Sequence, residues 1–420
     1  MESEFEKGFM AGFLINYRKD DDKPKPSQKP WTYPSNWLDL PEPADNQIVM
    51  LVDNRGGSVH NDINYNIELG LYRTNATKIE WGDGTYTDSN STATHTYEPG
   101  SGHKTKNSEQ WIVTITFDKG ADKYTQGLYS LGGSSTNRMF VLAIKIGNTE
   151  YMTDQSKPGT GGSLDCDYTN LQYAKICRGE LYFQIRYAYC LRKVELNENI
   201  TKIPYQGFYY AYSLTDINLE NITEIGEYGF FYCYELDVSG KMPKLKTIGT
   251  FGLAYTRLSS FNFPCLETIG QYGISNCFNL TEINLKSESL KTIGPYAITN
   301  CYALQTIDLP YVTEIGNWAF GNNYSLKTVN LPLATKIGVR AFIYSYLLES
   351  VNLPLATTIG DNCFSGNYSL KTVDIRSCTD AGTNLFEYCY NLDYCVLPAG
   401  TDASTIVGNY LNKIVEIEYV

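Results

Sequence analysis

Three histidines, His60, His95 and His103, are available for proton transfer in 420 residues, and all three lie in the first quarter of the chain. No G-x-S-x-G elbow, H-E-x-x-H helix or phosphate-binding G-x-x-x-x-G-K-[ST] loop accompanies them. Asp83 sits in the run Trp81-Gly82-Asp83-Gly84, where an acid between two glycines shapes a tight turn; a ligand or catalytic role for Asp83 and His95 is the alternative. Acid pairs suited to glycoside hydrolysis can form between any two carboxylates that the fold brings together, and no spacing singles one pair out. Eleven cysteines cannot all pair with one another, and the C-x-x-C spacing of a zinc site is missing. Cys233, Cys277, Cys301 and Cys389 recur in one phase with Asn323, Ser345 and Asn367, which reads as a column of small residues facing an interior. The sequence therefore assigns no catalytic residue, no metal ligand and no cofactor, and the protein is expected not to be an enzyme.

Binding chemistry is better represented. Tyr212, Tyr234, Phe278, Tyr302, Tyr324, Tyr346, Tyr368 and Tyr390 share one phase, interrupted by Arg257, and Tyr228, Phe251, Tyr272, Tyr296 and Trp318 share another. Such columns form either a packing ladder or a recognition surface, since an aromatic ring offers apolar area with a polar handle. A polar column, Asn218, Asn262, Asn284, Asp308, Asn330, Asn352 and Asp374, has Thr306, Thr328, Ser350 and Thr372 two residues earlier in the later copies. That stripe reads as a solvated face or as a groove for sugar or protein. The candidate binding residues are thus Tyr212, Tyr234, Tyr302, Tyr324, Tyr346, Tyr368, Tyr390 and Trp318 on the aromatic side. On the polar side they are Asn284, Asp308, Asn330, Asn352 and Asp374.

What places these residues in columns is a repeat. Leucines 191, 214, 236, 258, 280, 304, 326, 348, 370 and 392 open successive copies, 22 to 24 residues apart. Each copy starts with a short apolar–polar alternation, as in Leu326, Val329 and Leu331, which suits a strand with one buried face. An Ile-Gly pair follows, from Ile225-Gly226 to Ile359-Gly360, and five residues after that Ile comes a large apolar wedge such as Phe230, Phe320, Phe342 or Phe364. The glycine is expected to permit a turn that other residues resist. A period in the twenties with an L-x-x-I-x-L core signals a leucine-rich solenoid, in which neighbouring copies bury what one copy cannot.

The full pattern, L-x-x-I-x-L-P-x-x-x-T-x-I-G-x-x-A-F-x-x-[CN]-x-x-L, resembles the BspA-like leucine-rich repeats, and Leu304–Leu326 and Leu348–Leu370 follow it nearly throughout. The resemblance implies a surface protein that binds host or cell-surface macromolecules. Upstream, Ile79-Glu80-Trp81-Gly82-Asp83-Gly84-Thr85, Thr94-His95-Thr96-Tyr97 and Trp111–Thr116 resemble a PKD domain, an immunoglobulin-like module, except for a longer loop at 98–110. That resemblance implies a spacer or interaction module.

Phe5, Phe9, Phe13 and Tyr17 are spaced by four and predict a short amphipathic helix that anchors the chain to another subunit, the alternative being a helix folded back on its own protein. The run from Arg18 to Pro30 is charged and proline-rich and reads as a tether. The expected organisation is an anchor helix over 1–17, a linker over 18–30 and a PKD/immunoglobulin-like β-sandwich over 31–120. A connecting region and solenoid N-cap fills 121–184, about ten leucine-rich repeats occupy 185–397, and a C-terminal cap covers 398–420. The fold class is mainly β.

A formal charge of −12 argues against nucleic-acid binding. No apolar run is long enough to span a membrane, and the acidic start MESEF does not read as a signal peptide. Together these features point to a non-enzymatic binding or structural protein. They favour a bacteriophage virion appendage, a tail or head fibre or decoration, that recognises a bacterial-surface or mucosal protein or glycan. Its partners would be that ligand, other virion subunits through the N-terminal helix, and further copies of itself. A bacterial BspA-like surface adhesin is the alternative, and a carbohydrate-active accessory module is a third reading.

Overall fold

The computed structural model describes residues 31–54, 66–71, 76–88, 92–105, 108–117, 128–130, 141–148, 163–165, 171–181, 184–407 and 416–420. The chain divides into two units, Met1–Thr32 and Tyr33–Val420. The expected anchor helix at 1–17 and linker at 18–30 lie outside the described residues, and every described strand belongs to the second unit.

Two sheets begin that unit. Strand β1 (Gln47–Asp53) is buried along nearly its whole length, as a central strand covered on both faces should be. It pairs antiparallel with β7 (Glu109–Phe117), where Trp111, Val113, Ile115 and Phe117 alternate inward, and β7 pairs with β3 (Ala76–Glu80). The other sheet contains β2 (Asn66–Leu71) and β5 (Thr92–Thr96), also antiparallel. Rings from both sheets meet inside: Tyr97, just past β5, stacks on Trp111 at 4.1 Å and donates its hydroxyl to the Trp81 carbonyl at 2.7 Å.

The switch from antiparallel to parallel pairing happens within these sheets. Strand β9 (Val141–Ile146) is antiparallel to β1 on one side and parallel to β11 (Tyr173–Ile176) on the other. Strand β11 passes the parallel register to β13 (Lys193–Leu196), with Tyr173 opposite Lys193, and β13 passes it to Asp216–Ile217. In the second sheet β8 (Leu128–Ser130) is antiparallel to β2 and parallel to β10 (Ser163–Asp165), which pairs with β12 (Gln184–Arg186). The described strands between 121 and 184 therefore join both kinds of pairing, and one apolar cluster of described residues runs from Ile48 to Ile406.

Beyond β13 the chain winds as a β-solenoid. Each coil lays down a short strand in one parallel stack, such as Thr306–Asp308 against Thr328–Asn330, and an Ile-centred pair in a second stack, such as Glu314–Ile315 against Lys336–Ile337. The opening leucines from Leu191 to Leu392 and the wedges Phe208, Phe230, Leu253, Ile274, Ile298, Phe320, Phe342, Phe364 and Phe386 are all buried. Among the described residues the one α-helix is the short Ala403–Val407, and the last strand, Glu416–Tyr419, closes against Tyr394–Leu397.

The Ile-Gly glycines have a different purpose from the one expected of them. Gly338 is not in the left-handed region; a Cβ placed on it would come within 2.5 Å of the Asn317 nitrogen and the Gly316 carbonyl carbon in the preceding coil. Close stacking of coils excludes a side chain there. The left-handed turns fall elsewhere, on bulky residues.

Candidate binding faces of the solenoid

Numbering each coil from its buried wedge gives the aromatic side a clear geometry. The residues four after the wedge form two ring stacks. Tyr189, Tyr212 and Tyr234 make the first. Phe278, Tyr302, Tyr324, Tyr346, Tyr368 and Tyr390 make the second, with centroids 4.8 to 5.5 Å apart and planes as little as 2° from parallel. Arg257 separates the two and pairs with Glu235 at 3.4 Å. The spacing follows the strand pitch of about 4.8 Å, so the rings lie in an offset stack and cover much of one another's faces. Burial pushes the Tyr346 phenol up to about 12.

Trp318 stands apart from these tyrosines, in the column two before the wedge. There Tyr228, Phe251, Tyr272, Tyr296 and Trp318 form one continuous parallel stack, and the Arg340 guanidinium covers Trp318 at 5.3 Å. All six hold φ between 54° and 57°. A second left-handed column lies two after the wedge: Tyr210, Tyr232, Tyr255, Asn276, Asn300, Asn322 and Tyr344, with φ between 57° and 62°, then Gly366 and Tyr388. Asn and Gly adopt this conformation readily, whereas a bulky residue does so at a cost of order 1 kcal/mol. This column escaped the sequence reading, and its alternation of Tyr, Asn and Gly at one phase was the available signal. The asparagines bond along it, Asn322 Nδ2 to Asn300 Oδ1 at 2.9 Å and Asn300 Nδ2 to Asn276 Oδ1 at 3.3 Å.

The polar candidates occupy the outward face of the parallel strands. Asn284, Asn330 and Asn352 are exposed, and Asp308 and Asp374 are half-exposed; Thr306, Thr328, Ser350 and Thr372 stand beside them, also exposed. Asn330 Nδ2 donates to Asp308 Oδ1 at 2.7 Å. Hydrogen bonds from the Arg376 guanidinium hold the Asp374 carboxyl below its usual range. At the head of this face, Lys175, Lys193, Glu195, Asp216 and Asn218 line a cavity of about 390 Å³. The structure thus separates the candidates into two faces, rings stacked on one and exposed amide, hydroxyl and carboxylate groups on the other.

His95 and Asp83 are in contact with one another. His95 stacks on Trp81 at 4.8 Å and contacts Asp83 Oδ2 through Nε2 at 2.8 Å, while Asp83 Oδ1 accepts from the Thr85 amide and hydroxyl. Burial works to raise the Asp83 pKa, and the hydrogen bonds from Thr85 and His95 outweigh it. The column of small residues faces the interior, as its types suggested: Cys233, Cys277, Cys301, Asn323, Ser345, Asn367 and Cys389 are all buried. Among the described residues no group of histidine, cysteine and acidic side chains is arranged to hold a metal, and no helix is long and apolar enough to cross a membrane.

Comparison with known proteins gives the repeats a family. The model of the BspA type leucine rich repeat region matches six copies, over residues 186–279 and 267–393. No curated protein matches the chain. Among solved structures, a leucine rich cell surface protein from Faecalibacterium prausnitzii is 19% identical, with 64% of this chain and 95% of that chain covered and a TM-score of 0.34. The pneumococcal vaccine antigen PcpA is 13% identical, with 66% and 73% covered and a TM-score of 0.34. The leucine rich repeat protein of T. pallidum is 20% identical, with 55% and 91% covered and a TM-score of 0.28. The family match begins at residue 186, so it lends nothing to the PKD resemblance of 79–116.

Proposed function

Because the repeat region of this chain belongs to the BspA-type leucine-rich-repeat family, we propose that the protein is a non-enzymatic recognition scaffold whose binding face is the polar outer surface of the parallel strands. The observation that carries this is the regular display of Asn284, Asp308, Asn330, Asn352 and Asp374, one per coil, beside hydroxyls in four of the five coils and Glu282 in the first. Amides, carboxylates and hydroxyls at a fixed pitch suit a ligand with many hydrogen-bonding groups, a cell-surface glycan or protein. The stacked rings, whose faces are turned to one another, support this choice of face over the aromatic one. Replacing Asn284, Asn330 and Asn352 together by Ala should weaken binding of the labelled chain to host cells at least about tenfold, the loss of one to two hydrogen bonds. The thermal midpoint should stay unchanged. Undiminished binding by a folded triple variant would remove the strand face from consideration.

The location that this reading favours is extracellular, on a virion, with the sequence order of aromatic segment, tether, β-module and repeat array supporting attachment at one end and recognition at the other. Family membership favours the second reading, a bacterial surface adhesin. Mass spectrometry of gradient-purified phage particles and of the host envelope separates them: a fixed copy number in particles supports the first, and presence in the envelope alone supports the second.

A further inference from the structure

The columns two before the wedge and two and four after it make one wall, joined by Tyr209, Phe231 and Glu387 of the column one after the wedge, whose members from Ala254 to Ser365 are buried beneath it. Ring contacts tie them together, Tyr228 to Phe231, Phe231 to Tyr232, and Tyr232 to Tyr234. From Gln206 to Tyr390 the charged residues in these columns are Arg257, Arg340 and Glu387, and the two arginines are engaged with Glu235 and Trp318. The rest is Tyr, Phe, Trp, Asn, Gln, the buried Ile343 and small residues. Ion pairs that link neighbouring coils, Lys202 with Glu224, Lys246 with Glu267, Lys336 with Glu314 and Lys371 with Glu349, stand in other columns. A chain of formal charge −12 therefore keeps one long wall almost free of charge.

We infer that this wall is a self-association face, occupied by a second copy of the chain packed antiparallel about a two-fold axis. Three observations carry it. Two copies at −12 each repel, and the wall lets them meet without opposing like charges; depletion of charge with enrichment in Tyr and Trp is the composition of an interface core. The ring columns repeat at the same pitch in both copies, so edges of one comb can seat between edges of the other at every coil, and a two-fold axis makes that contact mutual. Nine coils at about 4.8 Å give a wall roughly 40 Å long, and the six residue steps from two before the wedge to four after it add at most about 20 Å of width. The resulting area, roughly 700 Å² per copy, is close to the roughly 800 Å² per partner of a standard interface.

Sedimentation equilibrium of the full chain tests this. The expected mass is twice the 47.3 kDa of one copy, and it should return to one copy in the Tyr212→Glu, Tyr234→Glu, Tyr368→Glu variant. These positions are partly or largely exposed, and circular dichroism checks that the variant folds. The Asn284→Ala, Asn330→Ala, Asn352→Ala variant should stay dimeric, so loss of ligand binding and loss of dimer are read independently. A wild-type chain that remains single at about 100 µM, or a dimer that survives the folded glutamate variant, overturns the inference. Should the glutamate variant fail to fold, salt decides on the wild type. An uncharged contact holds or tightens between about 0.05 M and 1 M salt as the net repulsion is screened, and loosening overturns it.

Discussion

Asn323 is wholly buried, yet its amide is fully used: Oδ1 accepts from the Cys301 amide at 2.8 Å, and Nδ2 donates to the carbonyls of Ile298 and Phe320. The side chain of Cys301, at the same position one coil earlier, has only a thiol to donate, with the Ile274 carbonyl at 3.2 Å and the Thr299 carbonyl at 3.8 Å. Asn323→Leu should therefore cost about 3 kcal/mol in chemical denaturation, because it strands three buried backbone groups, and Asn323→Cys clearly less. Equal losses would show that volume alone matters in this column. The sequence marked the column as interior and small, which is correct. That its asparagines hydrogen-bond the coil above was hidden, because Cys, Ser and Asn look interchangeable by size. Glu42 supplies a pH test at the same scale. Hydrogen bonds from the Lys145 and Lys175 ammonium groups lower its pKa to about 2. A depressed carboxyl stabilises the fold fully above its unfolded value near 4.3, and that contribution is lost as pH falls toward 2. Glu42→Gln should flatten the acid limb of a stability profile between about pH 4 and 2, by a small amount because the side chain is largely exposed; an unchanged limb would dismiss the contact.

Among the elements, β9 matters most, since it ends the antiparallel pairing with β1 and starts the parallel pairing with β11. Alternation and apolar runs in the sequence mark strands at Ile48–Val52, Trp111–Phe117 and Met139–Ile146, where β1, β7 and, over its described residues, β9 are found, and the period marks the solenoid. Their merger is not marked. Pairing partners of β9 lie far away in sequence, and a one-dimensional pattern of apolar residues is the same whether a strand closes a sandwich or opens a solenoid. The shared sheet has a physical consequence. The first strands act as the cap that a solenoid end needs, with β9 pairing along the otherwise open edge of Tyr173–Ile176. A chain reduced to residues 171–420 should expose that edge and its apolar face, and aggregate on size-exclusion chromatography while the full chain does not. A soluble, folded 171–420 fragment would show that the first strands are dispensable to the array.

For the unit as a whole, one apolar cluster does not mean that every coil shares one fate. Each coil touches only its neighbours, so stability is close to a sum of coil and interface terms. Leu304 and Leu392 open different coils, both buried, Leu304 near the middle of the array and Leu392 near its end. Truncating either to Ala removes a comparable apolar volume, at roughly 2–5 kcal/mol. The consequences should differ in extent. Beyond Leu392 the described elements are the strand Tyr394–Leu397, the short helix and the last strand, so Leu392→Ala should lose amide protection from about residue 370 onward and leave the rest as it was. Leu304→Ala weakens coils that are held from both sides, and its loss of protection should spread toward both ends while the segment around β1, β7 and β9 stays protected longest. Hydrogen exchange by mass spectrometry reads both patterns. Uniform loss in both variants would mean that the sheet running from β3 to the Asp216 strand couples the whole unit into one cooperative block, and the coil-by-coil description would then fail.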